Sequence, residues 1–178
     1  MNKALVILGE LTNRDLDWML RNGERKELES GTVLIEEGQP INALYIVLKG
    51  TLVASVAAWG NRQVAKLSRG EVLGEMSFVD GRMPSATVTA AEPSLVLSVP
   101  RQKLSEKLEV DALFSLRFYR AVSKFLSSRL RNTVTQFGDR SQALDLPSAE
   151  EWDQQSREKA DRFEEIMERL LGEYHVKT

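Results

Sequence analysis

The sequence predicts a mainly β domain with flanking α-helices, an antiparallel sandwich or barrel between an N-terminal helix and long C-terminal helices. Three observations predict it. Short runs rich in β-branched and apolar residues recur between positions 32 and 99, with turn residues between them. No segment of helical period joins those runs, so the crossovers that a parallel sheet needs are missing. From Arg101 onward the apolar residues recur at steps of three and four, which is a helical period.

Taken in order, residues 11–22 (LTNRDLDWMLRN) predict the first helix. Thr12 is placed as N-cap with Asp15 three residues on, a relative of the capping box. Leu16, Met19 and Leu20 share one face, and Gly23 ends the segment. The predicted strands are Thr32–Ile35, Ala43–Leu48, Leu52–Val56, Val64–Leu67, Ala86–Ala90 and Leu95–Val99. Glu37-Gly38, Lys49-Gly50, Trp59-Gly60-Asn61, Arg69-Gly70, Asp80-Gly81 and Glu92-Pro93 punctuate them as turns.

Leu104 and Leu108 open the helical region, and Phe118, Val122, Phe125, Leu126, Leu130 and Val134 continue it. A single helix over Asp111–Phe137 is about 40 Å long at 1.5 Å per residue. Such a helix overhangs a small β body, and its stripe then calls for a partner, most economically a second copy of the chain. Residues 138–148 (GDRSQALDLPS) read as a linker. Ser148 with Glu151 forms a capping box that opens a last amphipathic helix, Ala149–Gly172. Trp152, Ala160, Phe163, Ile166, Met167, Leu170 and Leu171 make its narrow apolar stripe. That stripe either packs on the body or docks a protein partner. The predicted organisation is therefore 1–137, 138–148 and 149–178.

Composition narrows the function. The chain has 178 residues, 42% hydrophobic and 28% charged, the balance of one soluble domain with an appendage. Its net charge of −2 supplies no strong positive field for nucleic acid. With no cysteine, disulfides, thiolate metal sites and cysteine nucleophiles are excluded. The sole histidine is His175, so neither a two-histidine iron site nor a Ser-His-Asp arrangement is expected. Asp80 and Asp145 lack carboxylate partners at metal-binding spacing. No run reaches the ~20 apolar residues of a membrane helix, and the expected location is the cytoplasm. Catalytic residues, metal and resident cofactor are all expected to be absent.

One loop invites a chemical reading: LGEMSFVDGRMPSATV, Leu73 to Val88. Gly74 permits close backbone approach to an anion, and a helical turn over Glu75–Phe78 aims N–H groups of Met76 and Ser77 at it. Glu75 suits a sugar hydroxyl. Ser85 and Thr87 offer hydroxyls, Ala86 an N–H, and Arg82 is the only cation in the loop. The same residues also suit plain turns and backbone caps, so both readings stand at this point.

Two stretches carry a family resemblance. GTVLIEEGQPINALYIVLKGTLV (Gly31–Val53) resembles the opening strands of the cyclic nucleotide-binding domain, through Gly31, Leu34, Glu37-Gly38, Leu44–Val47 and Gly50. VLGEMSFVDGRMPSATVTA (Val72–Ala90) resembles that family's phosphate-binding cassette. The resemblance covers roughly residues 10–135. It implies an eight-stranded antiparallel jelly roll and a regulatory module that binds cyclic AMP or cyclic GMP. It gives Glu75 the ribose 2′-hydroxyl. The family's phosphate-contacting arginine falls at Pro84, which has neither charge nor N–H, so weak binding is implied. The resulting ligand-site set is Gly74, Glu75, Met76, Ser77, Arg82, Pro84, Ser85, Ala86 and Thr87. The partners expected are a second copy through Asp111–Phe137 and a protein met by the last helix. Residues 138–178 contain one predicted helix and no recognition helix, so autonomous DNA binding is not expected. The alternative is a dimeric scaffold with a vestigial pocket.

Overall fold

The computed structural model describes residues 8–137 and 149–172, with side chains described for residues 8–127 and 160–172. Helix α1 (Asn13–Asn22) opens with the predicted cap: the Asp15 N–H donates to Thr12 Oγ1, and the Thr12 N–H donates to the Asp15 carboxylate at 2.9 Å. Eight strands follow: β1 (Glu24–Leu28), β2 (Val33–Ile35), β3 (Ala43–Lys49), β4 (Leu52–Val56), β5 (Arg62–Leu67), β6 (Val72–Leu73), β7 (Thr87–Ala90) and β8 (Ser94–Pro100). A short helix α2 (Glu75–Asp80) lies between β6 and β7. Helices α3 (Arg101–Val110), α4 (Ala112–Phe137) and α5 (Ala149–Gly172) complete the described chain.

The strands form two antiparallel four-stranded sheets, ordered β1-β8-β3-β6 and β2-β7-β4-β5. The sheets face each other without closing, so the jelly roll is a sandwich and not a barrel. Strand β3 shows why its sequence, ALYIVLK, is almost continuously apolar. Leu44, Ile46 and Leu48 point to a core shared with the helices, while Val47 points into the sandwich with Leu52, Leu73 and Val96. The first sheet is thus covered on both faces.

Two strands were not predicted. Strand β1, ERKEL, pairs only with β8, and its charged residues follow from an edge with most side chains in water. Strand β6 is two residues long, below the length at which a pattern can be read.

The helical region differs from its expectation at two points. Asp111 does not belong to the long helix; it separates α3 from α4 and caps α4, its Oδ1 accepting the Phe114 N–H at 2.9 Å. The apolar stripe of α4 was expected to need a second copy. Instead Phe114, Phe118, Ala121, Val122 and Phe125 are buried in the chain's own core with α1 and β3. Leu130 and Val134 lie outside the described side chains, as do Trp152 and the predicted 138–148 linker. A different face of α4 is left exposed, bearing Leu113, Leu116 and Tyr119.

Of the two readings of the last helix, the structure shows its described stripe packed on the body. Phe163, Ile166, Met167 and Leu170 are buried in the same core. Polar contacts fix the register: Arg169 meets Asp17 through two 2.7 Å bonds, Arg69 meets Glu164 at 3.0 Å, and Arg25 Nη2 donates to the Leu170 carbonyl at 2.7 Å. Among the described residues after α4 there is this helix alone, with no helix-turn-helix pair. No described helix is long and apolar enough to cross a membrane.

Candidate functional site

The loop singled out in the sequence folds as α2 and the turn that follows it. Gly74 makes the reversal out of β6. Its φ is +87°, and a Cβ there would stand 2.5 Å from Ile41 Cδ1 and 3.2 Å from the Ala43 carbonyl. The left-handed backbone favours glycine, and a Cβ would crowd the Ala43 carbonyl and push the Ile41 tip aside. Gly81 ends α2, its N–H donating to the Ser77 carbonyl at 3.1 Å. Arg101 Nη2 donates to the same carbonyl at 2.9 Å, and its guanidinium lies 4.8 Å over the Phe78 ring. Through Arg101, α2 is fastened to the first residue of α3.

The turn after α2 is fastened on its other side. The Gly38 N–H donates to the Pro84 carbonyl at 2.9 Å, and the Glu37 N–H donates to Thr87 Oγ1 at 3.1 Å. Glu37 in turn accepts the Ala57 N–H through Oε2 at 2.8 Å. The β2–β3 turn therefore holds the cassette against the β4–β5 turn.

These tethers frame a cavity of about 540 Å³, within the ~300–1,000 Å³ of small-molecule sites. One end is lined by Gly74, Glu75, Met76 and Ser77 together with Arg82 to Ala86. The first N–H groups of α2 have no acceptor inside their own helix and lie at that end. The remainder is apolar, built from β2, β4, β5, β6 and β7, with Phe125 of α4 as one wall and Trp59 on the exposed rim.

The predicted residues separate accordingly. Gly74, Glu75, Met76, Ser77, Arg82, Pro84, Ser85 and Ala86 all line the cavity. Thr87 does not. Its hydroxyl oxygen is turned to the Glu37 N–H because strand alternation at the start of β7 directs it away. Arg82 is at the mouth, its side chain 86% exposed and 4.0 Å from Asp80, so the loop's one cation faces water. Glu75 and Ser77 are buried.

Sequence reasoning missed Glu71 and Phe125. Glu71 is buried on the cavity wall, and its Oε2 accepts the Ser68 N–H at 2.5 Å. Strand β6 is two residues long, so no alternation could mark Glu71 as a wall residue. Phe125 was legible as an apolar position of α4 but not as a cavity wall. Among the described residues no cluster of His, Asp and Glu could hold a metal ion.

Comparison with known proteins adds the following. Residues 25–111 match the family model of the cyclic nucleotide-binding domain. A cGMP-dependent protein kinase of Eimeria tenella is 32% identical over 83 residues, covering 47% of this chain and 8% of the kinase. The cAMP-activated global transcriptional regulator CRP of Pasteurella multocida is 28% identical over 126 residues, 68% of this chain and 57% of the regulator. Among solved structures, the Thermus thermophilus catabolite activator protein superposes with a TM-score of 0.62 at 25% identity, over 74% of this chain and 61% of that one. The chain spans less than two thirds of each of these three.

Proposed function

We propose that this chain, whose residues 25–111 belong to the cyclic nucleotide-binding domain family, is a non-catalytic regulatory module that binds cyclic AMP or cyclic GMP weakly. The observation that supports this reading most is the 540 Å³ cavity bounded by α2, by the Arg82–Ala86 turn and by Phe125 of α4. The nucleotide's phosphate meets the backbone N–H groups at Gly74–Ser77 and at Ala86. Glu75 takes the ribose hydroxyl, and the base lies on the apolar wall. Binding is weak because position 84 carries proline and the Arg82 guanidinium is turned to solvent.

Phe125 supplies the route to an output. It belongs to α4 and also walls the cavity, so ligand contact with its ring favours one placement of α4. The homodimer surface is the exposed face of α4, with Leu116 65% and Leu113 67% exposed. Any protein partner of α5 meets its outer, charged side, because the inner stripe is occupied. The working location is the cytoplasm.

The test is calorimetric titration of the full chain with cyclic AMP and cyclic GMP. Saturable binding with a Kd in the micromolar to millimolar range supports the sensor. The scaffold reading is favoured by one specific observation, that Arg82, the one basic residue lining the cavity among the described residues, has its side chain 86% exposed. No binding of either nucleotide, with the dimer intact by light scattering, would establish it.

A further inference from the structure

A second recess lies away from the cavity, where α1 meets the junction of α3 and α4. Its volume is about 220 Å³, and it is lined by Arg14, Trp18 and Arg21 of α1, Lys107 of α3, Asp111 at the junction, and Leu113 and Arg117 of α4, with Asp15 at its base. The charges there do not balance. Asp15 is taken by Arg117, through bonds of 2.7 and 2.9 Å, and by Thr12. Asp111 is taken by Lys107 at 2.7 Å. Arg14 and Arg21 are left with no carboxylate in hydrogen-bond reach among the described residues. Asp17, whose carboxylate feels the Arg21 charge, is already held by Nε and Nη2 of Arg169.

Arg14 also sits in the first turn of α1, where the helix dipole disfavours a cation. Among the described residues no ion pair compensates it. A recess lined by a surplus of positive charge concentrates anions. The surplus of two matches the charge of a phosphate group, ≈ −1.5 to −2 near neutral pH.

We infer that this recess binds a small phosphate-bearing molecule, with Arg14 and Arg21 as its charge contacts and Trp18 beside it. Lys107 already lies 5.7 Å over the Trp18 ring, so an anion drawing on Lys107 changes the surroundings of the indole. The occupant bridges α1 to the α3–α4 junction. The inference does not rest on the reading of the cavity.

The experiment uses the full chain with Trp59→Phe and Trp152→Phe, which leaves Trp18 as the sole tryptophan, excited selectively over the tyrosines. Inorganic pyrophosphate is titrated at constant ionic strength, with acetate as the monovalent control. A saturable change in Trp18 emission with pyrophosphate and none with acetate is expected. Arg14→Gln with Arg21→Gln should weaken it at least tenfold, and each single change at least threefold. Both side chains are exposed, and an unchanged melting midpoint in chloride confirms that the variants fold. A response that does not saturate, or one that survives the double change, overturns the inference; in the second case the anion sits elsewhere, as in the cavity.

Discussion

Replacing Pro84 by arginine tests the cavity most directly. Pro84 lines it, and the loop is anchored there through its own carbonyl, which accepts the Gly38 N–H at 2.9 Å. That anchor is backbone and survives the substitution. The new guanidinium supplies the charge that Arg82, facing water, does not. A hydrogen bond to a charged partner contributes about 1.5–3 kcal/mol. At ~1.4 kcal/mol per decade, P84R should tighten cyclic AMP or cyclic GMP binding by about 10- to 150-fold. Relief of the proline constraint costs about 0.4–1 kcal/mol of stability through the unfolded chain, and P84Q carries that cost without the charge. Calorimetry on wild type, P84R and P84Q separates the two effects. A thermal scan adds a check. Ligand at 100 times Kd stabilises by about 2.7 kcal/mol, which for a domain of this size is a rise of about 5–10 °C. If P84R binds no better than P84Q, the phosphate does not sit at this end of the cavity.

Four further outcomes follow from the packing. Gly74→Ala should destabilise the fold by about 1–2 kcal/mol for the left-handed backbone alone, and more once Ile41 is displaced, measured by urea unfolding. Ile166→Ala should cost about 2–5 kcal/mol, because Ile166 is fully buried; a change under about 0.5 kcal/mol would show that α5 is undocked in solution. Arg117→Ala should cost about 1–3 kcal/mol, less than a fully buried pair, since the Arg117 side chain is 29% exposed beside a buried Asp15. Burial pushes the Asp15 carboxyl up, but the bonds from Arg117 and Thr12 outweigh it and hold it below its ordinary value. A depressed carboxylate contributes stability above its unfolded pKa of about 3.9 and loses it as pH falls through the folded value, so melting midpoints should drop below about pH 4, and less steeply in D15N.

Much of the architecture was legible because each rule acts locally. The Thr12–Asp15 cap, the turn at Lys49-Gly50 and the period change at Arg101 are decided by neighbours in sequence, and the structure contains all three. Gly50 shows how strictly: at φ +84° it leaves no room for a Cβ, which would fall 2.8 Å from the Pro93 carbonyl. What escaped was decided across the chain. Strand β1 exists through its pairing with β8, about seventy residues later in register (Glu24 with Ser98), and its charged sequence carries no trace of that partner. The face of α4 that meets the core could be listed, but what would cover it could not. The answer lies in Leu8, Leu16, Met19 and the stripe of α5, all remote in sequence. In the site, backbone needs were readable and side-chain direction was not. Gly74 and Gly81 are where the turn demands them, whereas Thr87 and Arg82 face away for reasons of strand alternation and solvation.

Helix α4 gathers these observations into one physical constraint. Phe125 walls the cavity, Arg117 walls the recess, and Leu116 faces outward. Between them Phe114 stacks on Phe118 with ring centres 6.1 Å apart, and Trp18 of α1 meets Phe114 at 5.7 Å. Interlocked rings do not deform smoothly, because packed interiors resist small displacements. A shift of α4 must therefore be a discrete change of seating, accompanied by movement of Trp18 or of Phe78, which meets Phe118 at 6.4 Å. Phe78 belongs to α2, the helix that lines the cavity, and Arg101 ties that helix to α3. Cavity and recess thus press on the same helix from opposite ends of one aromatic row. An occupant of either shifts α4 only as far as it binds one seating better than another, so the two sites are thermodynamically linked through that row if α4 has two seatings and independent if it has one.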